Sequence, residues 1–158
     1  MRRTRYVIAI GSNRRGHHGP PAQEVAAAIA TLKHVRAVSP IIASAPLGPS
    51  TRRFANAAVV IDSKHHPLAL LDRLQRIEHA FGRRRGRRWG ARVIDLDVIL
   101  WSGGIWASPR LSIPHPAYRA RRFVLAPMAR IAPEWRDPIG GRNTRQLLHL
   151  VDRPRPLA

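Results

Sequence analysis

The sequence predicts an α+β domain: a ferredoxin-like βαββαβ core whose antiparallel sheet is flanked by helices. Three observations carry this. Short runs rich in Val, Ile and Ala alternate with segments of helical period in the order β-α-β-β-α-β. Two strand-like runs stand together between the helices, which fits a split β-α-β arrangement better than a doubly wound parallel sheet. The 158 residues supply one core of ordinary size and no second full domain. Residues 1–158 are therefore read as a single domain, with about 153–158 a frayed tail.

The elements follow in order. Tyr6-Val7-Ile8-Ala9-Ile10 is a buried-strand run closed by the turn-forming Gly11-Ser12-Asn13. Pro20-Pro21 opens a helix through Lys33, with Val25, Ala28, Ile29 and Leu32 at helical spacing. Val35 to Ala45 leans towards strand but is interrupted by Pro40, Pro46 to Ser50 reads as a loop, and Phe54 to Ile61 returns to strand. Pro67 opens a second helix whose Leu68, Leu71, Leu74, Ile77 and Phe81 form an apolar stripe, stopped by Gly82. Val93 to Trp101 is a strand, Ser102-Gly103-Gly104 a hairpin turn, and Ile105-Trp106 its return. Phe123 to Ile131 is a short helix, and Asn143 caps another through Leu150.

Composition narrows the function. Hydrophobic residues at 44% and charged residues at 23% describe a folded globular chain. No apolar run approaches the roughly 18 to 20 residues that span a bilayer, so a cytoplasmic chain is expected. Zero cysteines exclude disulfides, thiolate metal sites and cysteine nucleophiles. The balance of 28 basic against 9 acidic side chains gives +19, and all the basic ones but Lys33 and Lys64 are arginine. Arginine's planar fork grips phosphate bidentately, so an anionic partner is expected. A GC-rich coding sequence would also raise arginine usage, so where the arginines cluster matters more than their number.

The most chemically pointed segment is Arg92-Val93-Ile94-Asp95-Leu96-Asp97-Val98-Ile99-Leu100. Alternation along a strand sends Asp95 and Asp97 to one face and Ile94, Leu96, Val98 and Leu100 to the other. Two like charges held together call for a cation, and Mg²⁺ takes one or two carboxylates plus phosphate oxygens. The alternative is a solvent-facing strand whose acids pair with surface arginines. Just upstream, Gly82 to Arg92 carries six arginines spaced by glycines, with Trp89 among them. Such a run serves as a solvated loop or a nucleic-acid-binding arm. Leading straight into the Asp95/Asp97 strand, it also places cationic forks over a metal site, as phosphoryl transfer requires. Mutual repulsion predicts that this run is open without an anion and closes over bound phosphates. The Walker pattern GxxxxGK[ST] is missing. Phe54 and Asn56 share a strand face and Phe123 follows Arg121-Arg122, so a flat heterocycle can stack between rings while an amide reads its edge; the other reading of both rings is ordinary core. His115, in Ile113-Pro114-His115-Pro116, is a phosphate donor or a structural hydrogen-bonder.

Taken in order, several motifs resemble those of the 6-hydroxymethyl-7,8-dihydropterin pyrophosphokinases of folate biosynthesis. They are Tyr6 to Asn13, Pro46-Leu47-Gly48-Pro49 with Phe54 to Ala57, Leu74 to Glu78, Gly82-Arg83, Arg88 to Asp97, Pro114-His115-Pro116 and Arg121 to Pro127, and they span about Tyr6 to Glu134. The resemblance implies transfer of the β,γ-diphosphate of ATP to the pterin hydroxymethyl oxygen with release of AMP and two Mg²⁺ ions on the phosphates. It implies Asp95 and Asp97 as metal ligands, and a pterin pocket of Phe54, Asn56, Trp89, Asp95 and Phe123 with backbone from Ser44 and Leu47. Gln75, Glu78, Arg85, Arg88, Arg92, Val98, Arg110, Ser112, His115 and Arg121 would face ATP. Arg83, Arg85 and Arg92 would carry catalysis, Arg83 from a mobile loop, in a monomer that needs no membrane or specific nucleic acid. Departures are the shortened Ser50-Thr51-Arg52-Arg53 segment, Ala45 and Ala91 where proline is usual, a contracted Arg83 to Arg88 run, and Arg14-Arg15-Gly16-His17-His18-Gly19. A nucleic-acid-binding module accounts for the charge but leaves the same-face aspartates unexplained, and a nucleotidyltransferase would use the same acid pair.

Overall fold

The Tyr6 to Ile10 run becomes the middle of β1 (Thr4–Ser12) in a computed structural model that describes residues 2–44, 54–82 and 93–154. Pro21 occupies the first turn of α1 (Pro21–Thr31), where a missing N–H costs nothing. The chain then forms β2 (Val35–Val38) and β3 (Ile42–Ser44), both paired antiparallel with β4 (Phe54–Ser63). The break between them lies at Pro40, where the Ser39 hydroxyl accepts from the Ala58 amide at 2.8 Å in place of a ladder bond. α2 (Pro67–Ala80) and β5 (Asp95–Trp101) complete a sheet of order β2-β4-β1-β5, all antiparallel. This is the expected βαββαβ core, with β2 and β3 sharing one strand's place.

Beyond β5 the chain adds β6 (Trp106–Ala107), β7 (Ser112–Ile113), a short 3₁₀ turn, α3 (Arg122–Ile131) and α4 (Thr144–Asp152). The Ser102-Gly103-Gly104 turn forms, with Gly104 at φ +99°, but the expected return is not made on β5. Trp106 instead pairs with Ile113 in a separate two-stranded sheet. Asn143 caps α4 as expected, in a reciprocal capping box with Gln146.

Two apolar layers enclose the sheet. Tyr6, Ile8, Ile10, Leu96 and Val98 pack under α1 and α2, whereas Val7, Val60, Leu125, Met128 and Leu147 pack under α3 and α4. Two expectations are corrected. A register shift opposite Val7/Ile8 turns Leu100 into the α3/α4 layer instead of continuing the line of Leu96 and Val98. The buried line of α2 runs through Leu70, Leu74 and Glu78, leaving Leu68 and Leu71 half-buried, because a carboxylate stands inside the stripe.

Candidate active site

Antiparallel register sets Asn56 of β4 opposite Gly11 of β1, and Gly11 opposite Asp95 of β5. Two residues along, Ala58, Ala9 and Asp97 form the next row on the same face. Gly11 carries no side chain between the polar groups, and a Cβ there would stand 2.9 Å from Asn56 Oδ1. Glycine is thus what lets the amide lie across β1 towards Asp95. Over this surface opens a cavity of about 370 Å³, lined by Gly11, Asn56, Asp95 and Asp97 and, from the start of α3, by Arg121 and Phe123. Phe123 is 53% exposed at its mouth, with the Arg121 guanidinium carbon 5.7 Å from its ring centre. Phe54 shares the face of Asn56 and is also exposed.

His115 approaches from the other side of β5, its amide donating to the Ile99 carbonyl at 3.0 Å. Its Nδ1 accepts from the Ala117 amide at 3.1 Å, so the neutral ring carries its proton on Nε2. Burial, then the Arg121 charge, holds this imidazole below its ordinary pKa, against a smaller opposite pull from Asp95. Among the described residues no group of three or more His, Asp or Glu side chains converges as a self-sufficient metal cage. The donor set here is two carboxylates with room for a ligand's oxygens, which suits a hard divalent cation shared with a phosphate.

Residues 7–133 match the model of the family described as 7,8-dihydro-6-hydroxymethylpterin-pyrophosphokinase (HPPK). The chain belongs to the HPPK family. It is 41% identical over 91% of its length to a 2-amino-4-hydroxy-6-hydroxymethyldihydropteridine pyrophosphokinase of Pseudomonas aeruginosa, covering 90% of that relative. A Methylorubrum extorquens protein of the same name is 39% identical, over 94% of each chain. Among solved structures, a triple mutant of Plasmodium falciparum HPPK-DHPS matches with a TM-score of 0.69 over 94% of this chain. At 13% identity that likeness carries the fold alone, and this chain spans 44% of that longer one.

Set against the HPPK motifs, the structure brings together Asn56, Asp95, Asp97, Arg121 and Phe123 in one cavity. Arg110 lies apart, donating to Asp72 at 2.7 Å and to Gln75 at 3.2 Å on the exposed side of α2, and Ser112 is exposed on β7. Two expectations about side chains facing ATP are corrected. Glu78 is 3% exposed, and its carboxylate accepts the Leu96 amide at 2.9 Å, so it fastens β5 from inside. Val98 is 2% exposed, with its side chain in the layer under α1 and α2, leaving only its backbone for a ligand. Ser44 is described in its backbone, opposite Phe54. Leu47, Arg83, Arg85, Arg88, Trp89 and Arg92 lie outside the described residues.

Two features escaped the sequence reading. Gly11 reads there as turn material, although a glycine ending an apolar strand also signals close approach of a neighbour. The Arg14 to Gly19 segment turns back through a Gly16–Gly19 bridge and delivers His18 to Glu24, a wholly buried acid of α1. The His18 amide and Nδ1 both meet that carboxylate at 2.8 Å, and the ring stacks on Phe81 at 4.9 Å. A Cβ at Gly16 would sit 2.2 Å from Glu24 Oε1 and 2.7 Å from Val93 Cγ1, so the turn is fitted against the residue two before Asp95.

Proposed function

We propose that this protein transfers the β,γ-diphosphate of ATP to 6-hydroxymethyl-7,8-dihydropterin, giving the pterin diphosphate and AMP, a step of folate biosynthesis. The observation that carries this reading is the convergence of Asn56, Asp95, Asp97, Arg121 and Phe123 on one cavity in a chain of the HPPK family. The hydroxymethyl oxygen bonds to Pβ, the bridge between Pα and Pβ opens with its electron pair on the AMP oxygen, and the hydroxyl proton leaves to solvent. Asp95 and Asp97 would hold Mg²⁺, read here as two ions, and the metal would supply neutralisation of the phosphate charge. Asn56 donates to and accepts from the pterin edge across Gly11, while Phe123 and Phe54 offer ring faces. Arg121 and the Nε2–H of His115 point cationic or donor character at phosphate oxygens. Arg83, Arg85, Arg88 and Arg92 complete the cationic side in this reading, with Trp89 and the backbone of Leu47 on the pterin. No helix among the described residues is long and apolar enough to cross a membrane, and we read the chain as a cytoplasmic monomer.

The test is product analysis. Incubation with ATP, Mg²⁺ and the hydroxymethyl pterin should yield AMP and pterin diphosphate in equal amounts. ADP would mean single phosphoryl transfer, and pyrophosphate would mean nucleotidyl transfer, either of which overturns the reading.

A further inference from the structure

A second recess lies on the α1/α2 side of the sheet, at its other end. Asn56 pairs with Gly11 whereas Asp62 pairs with Arg5, so six residues of strand separate it from the cavity above. At ~3.3 Å per residue that is about 20 Å. The recess measures about 150 Å³ and has an apolar floor of Leu32, Ile61, Leu70, Leu74 and Ile77. Its rim is made by Arg3, Lys33, His34, Lys64, His65 and Arg73, all exposed.

The rim has little counter-charge of its own. Asp62 is the acid among the described lining residues, and Arg5 Nε at 3.3 Å and Arg36 Nε at 3.6 Å already engage its two oxygens. Lys33, Lys64 and Arg73 make no ion pair among the described residues. Arg3 donates to His34 Nε2 at 3.3 Å instead of to a carboxylate. Cationic groups gathered at the lip of a low-dielectric recess produce a positive potential that an entering anion relieves. The floor sets the other half of the preference, since its side chains are apolar and a volume of about 150 Å³ is the size of space that takes one benzene ring.

We propose that this recess is a binding site for a small amphiphilic anion: an apolar body of about one six-membered ring bearing a carboxylate or phosphate. The ring lies on Ile61, Leu70, Leu74 and Ile77, and the acid meets the rim formed by Arg3, Lys64 and Arg73. A bare inorganic anion satisfies the rim and leaves the floor wet, whereas a neutral ring satisfies the floor and leaves the rim unneutralised.

The test is a methyl NMR titration of the intact protein with benzoate, phenyl phosphate, inorganic phosphate and benzyl alcohol, in the presence of a saturating non-hydrolysable ATP analogue. Saturable shifts of the Ile61, Leu74 and Ile77 methyls with benzoate or phenyl phosphate are expected. Affinity should be at least about tenfold weaker for benzyl alcohol, and weaker by a similar factor in an Arg3→Glu, Arg73→Glu double variant, as loss of a charge-assisted contact implies. No methyl shift with either aryl anion would overturn the proposal. So would equal binding of benzyl alcohol, insensitivity to charge reversal, or inorganic phosphate binding as tightly as the aryl anions.

Discussion

The sheet face beneath α3 and α4 has two ends built from the same three strands. At one end Val7, Val60 and Leu100 are sealed by Leu125, Met128 and Leu147, and the nearby charge is settled within the chain. There Arg119 clasps Asp137 through both carboxylate oxygens, one at 2.8 Å, while the Ile139 amide donates to it at 2.9 Å. At the other end Ala9, Gly11, Asn56, Asp95 and Asp97 face a cavity bordered, among the described residues, by Arg121 and the first turn of α3. Stability and chemistry are thus segregated along one surface. Large side chains close the first end, whereas small and polar ones keep the second open for ligands.

The largest effect should come from the open end. Asp95→Asn and Asp97→Asn keep volume and remove charge. Each should cut AMP production on the order of a thousandfold, because a metal-neutralised phosphoryl charge is worth several kcal/mol. Thermal unfolding should move little, and near-normal turnover in both variants would dissolve the distinction between the ends. The converse variant is Leu125→Ala at the closed end, where the parent side chain is 0% exposed. Denaturant unfolding should show a loss of about 2 to 5 kcal/mol, with turnover per folded molecule preserved.

Smaller effects refine the open end. Asn56→Ala should weaken pterin binding by about 1 to 3 kcal/mol, the cost of unpaired polar atoms, and leave ATP binding nearly unchanged in separate titrations. Gly11→Ala should act in the same direction, because its methyl would crowd Asn56 Oδ1 at 2.9 Å. Equal losses for both ligands would make Asn56 a support of the fold. At the closed end, Arg119 first and then backbone donors hold the Asp137 carboxyl at about 2, down from 3.8. A lowered folded-state value contributes stability that is fully present above the unfolded value. It is lost as pH falls from about 4 towards 2, an effect of about 2 kcal/mol. Acid unfolding of Asp137→Asn should lack that decline.

Much of this division is legible in the sequence. Period and turn chemistry locate β1, α1, β4, α2 and β5, and simple alternation puts Asp95 and Asp97 on one face, where the structure has them. Alternation failed past the register shift, so Leu100 went to the wrong layer, because a bulge leaves no mark in residue type. The resemblance sets Glu78 towards ATP and nothing in the sequence singles out Glu24, since an acid in a helix does not disclose its partner. Those partners, the Leu96 amide and His18, are far in sequence or hidden in an unusual turn. Gly11 was visible as a residue and not as a requirement, because only the register reveals that Asn56 must pass over it.

The most direct test of the open end as the reaction centre replaces Mg²⁺ with paramagnetic Mn²⁺ in the presence of a non-hydrolysable ATP analogue and follows methyl NMR signals. The methyls of Ala9 and Val124, which line the cavity, should broaden strongly, while those of Ile61 and Leu74 at the far end of the opposite face stay sharp. The broadening should vanish in Asp97→Asn. Broadening that persists undiminished in that variant and in Asp95→Asn, or that centres away from Ala9 and Val124, would contradict the assignment of the metal and its phosphates to this site.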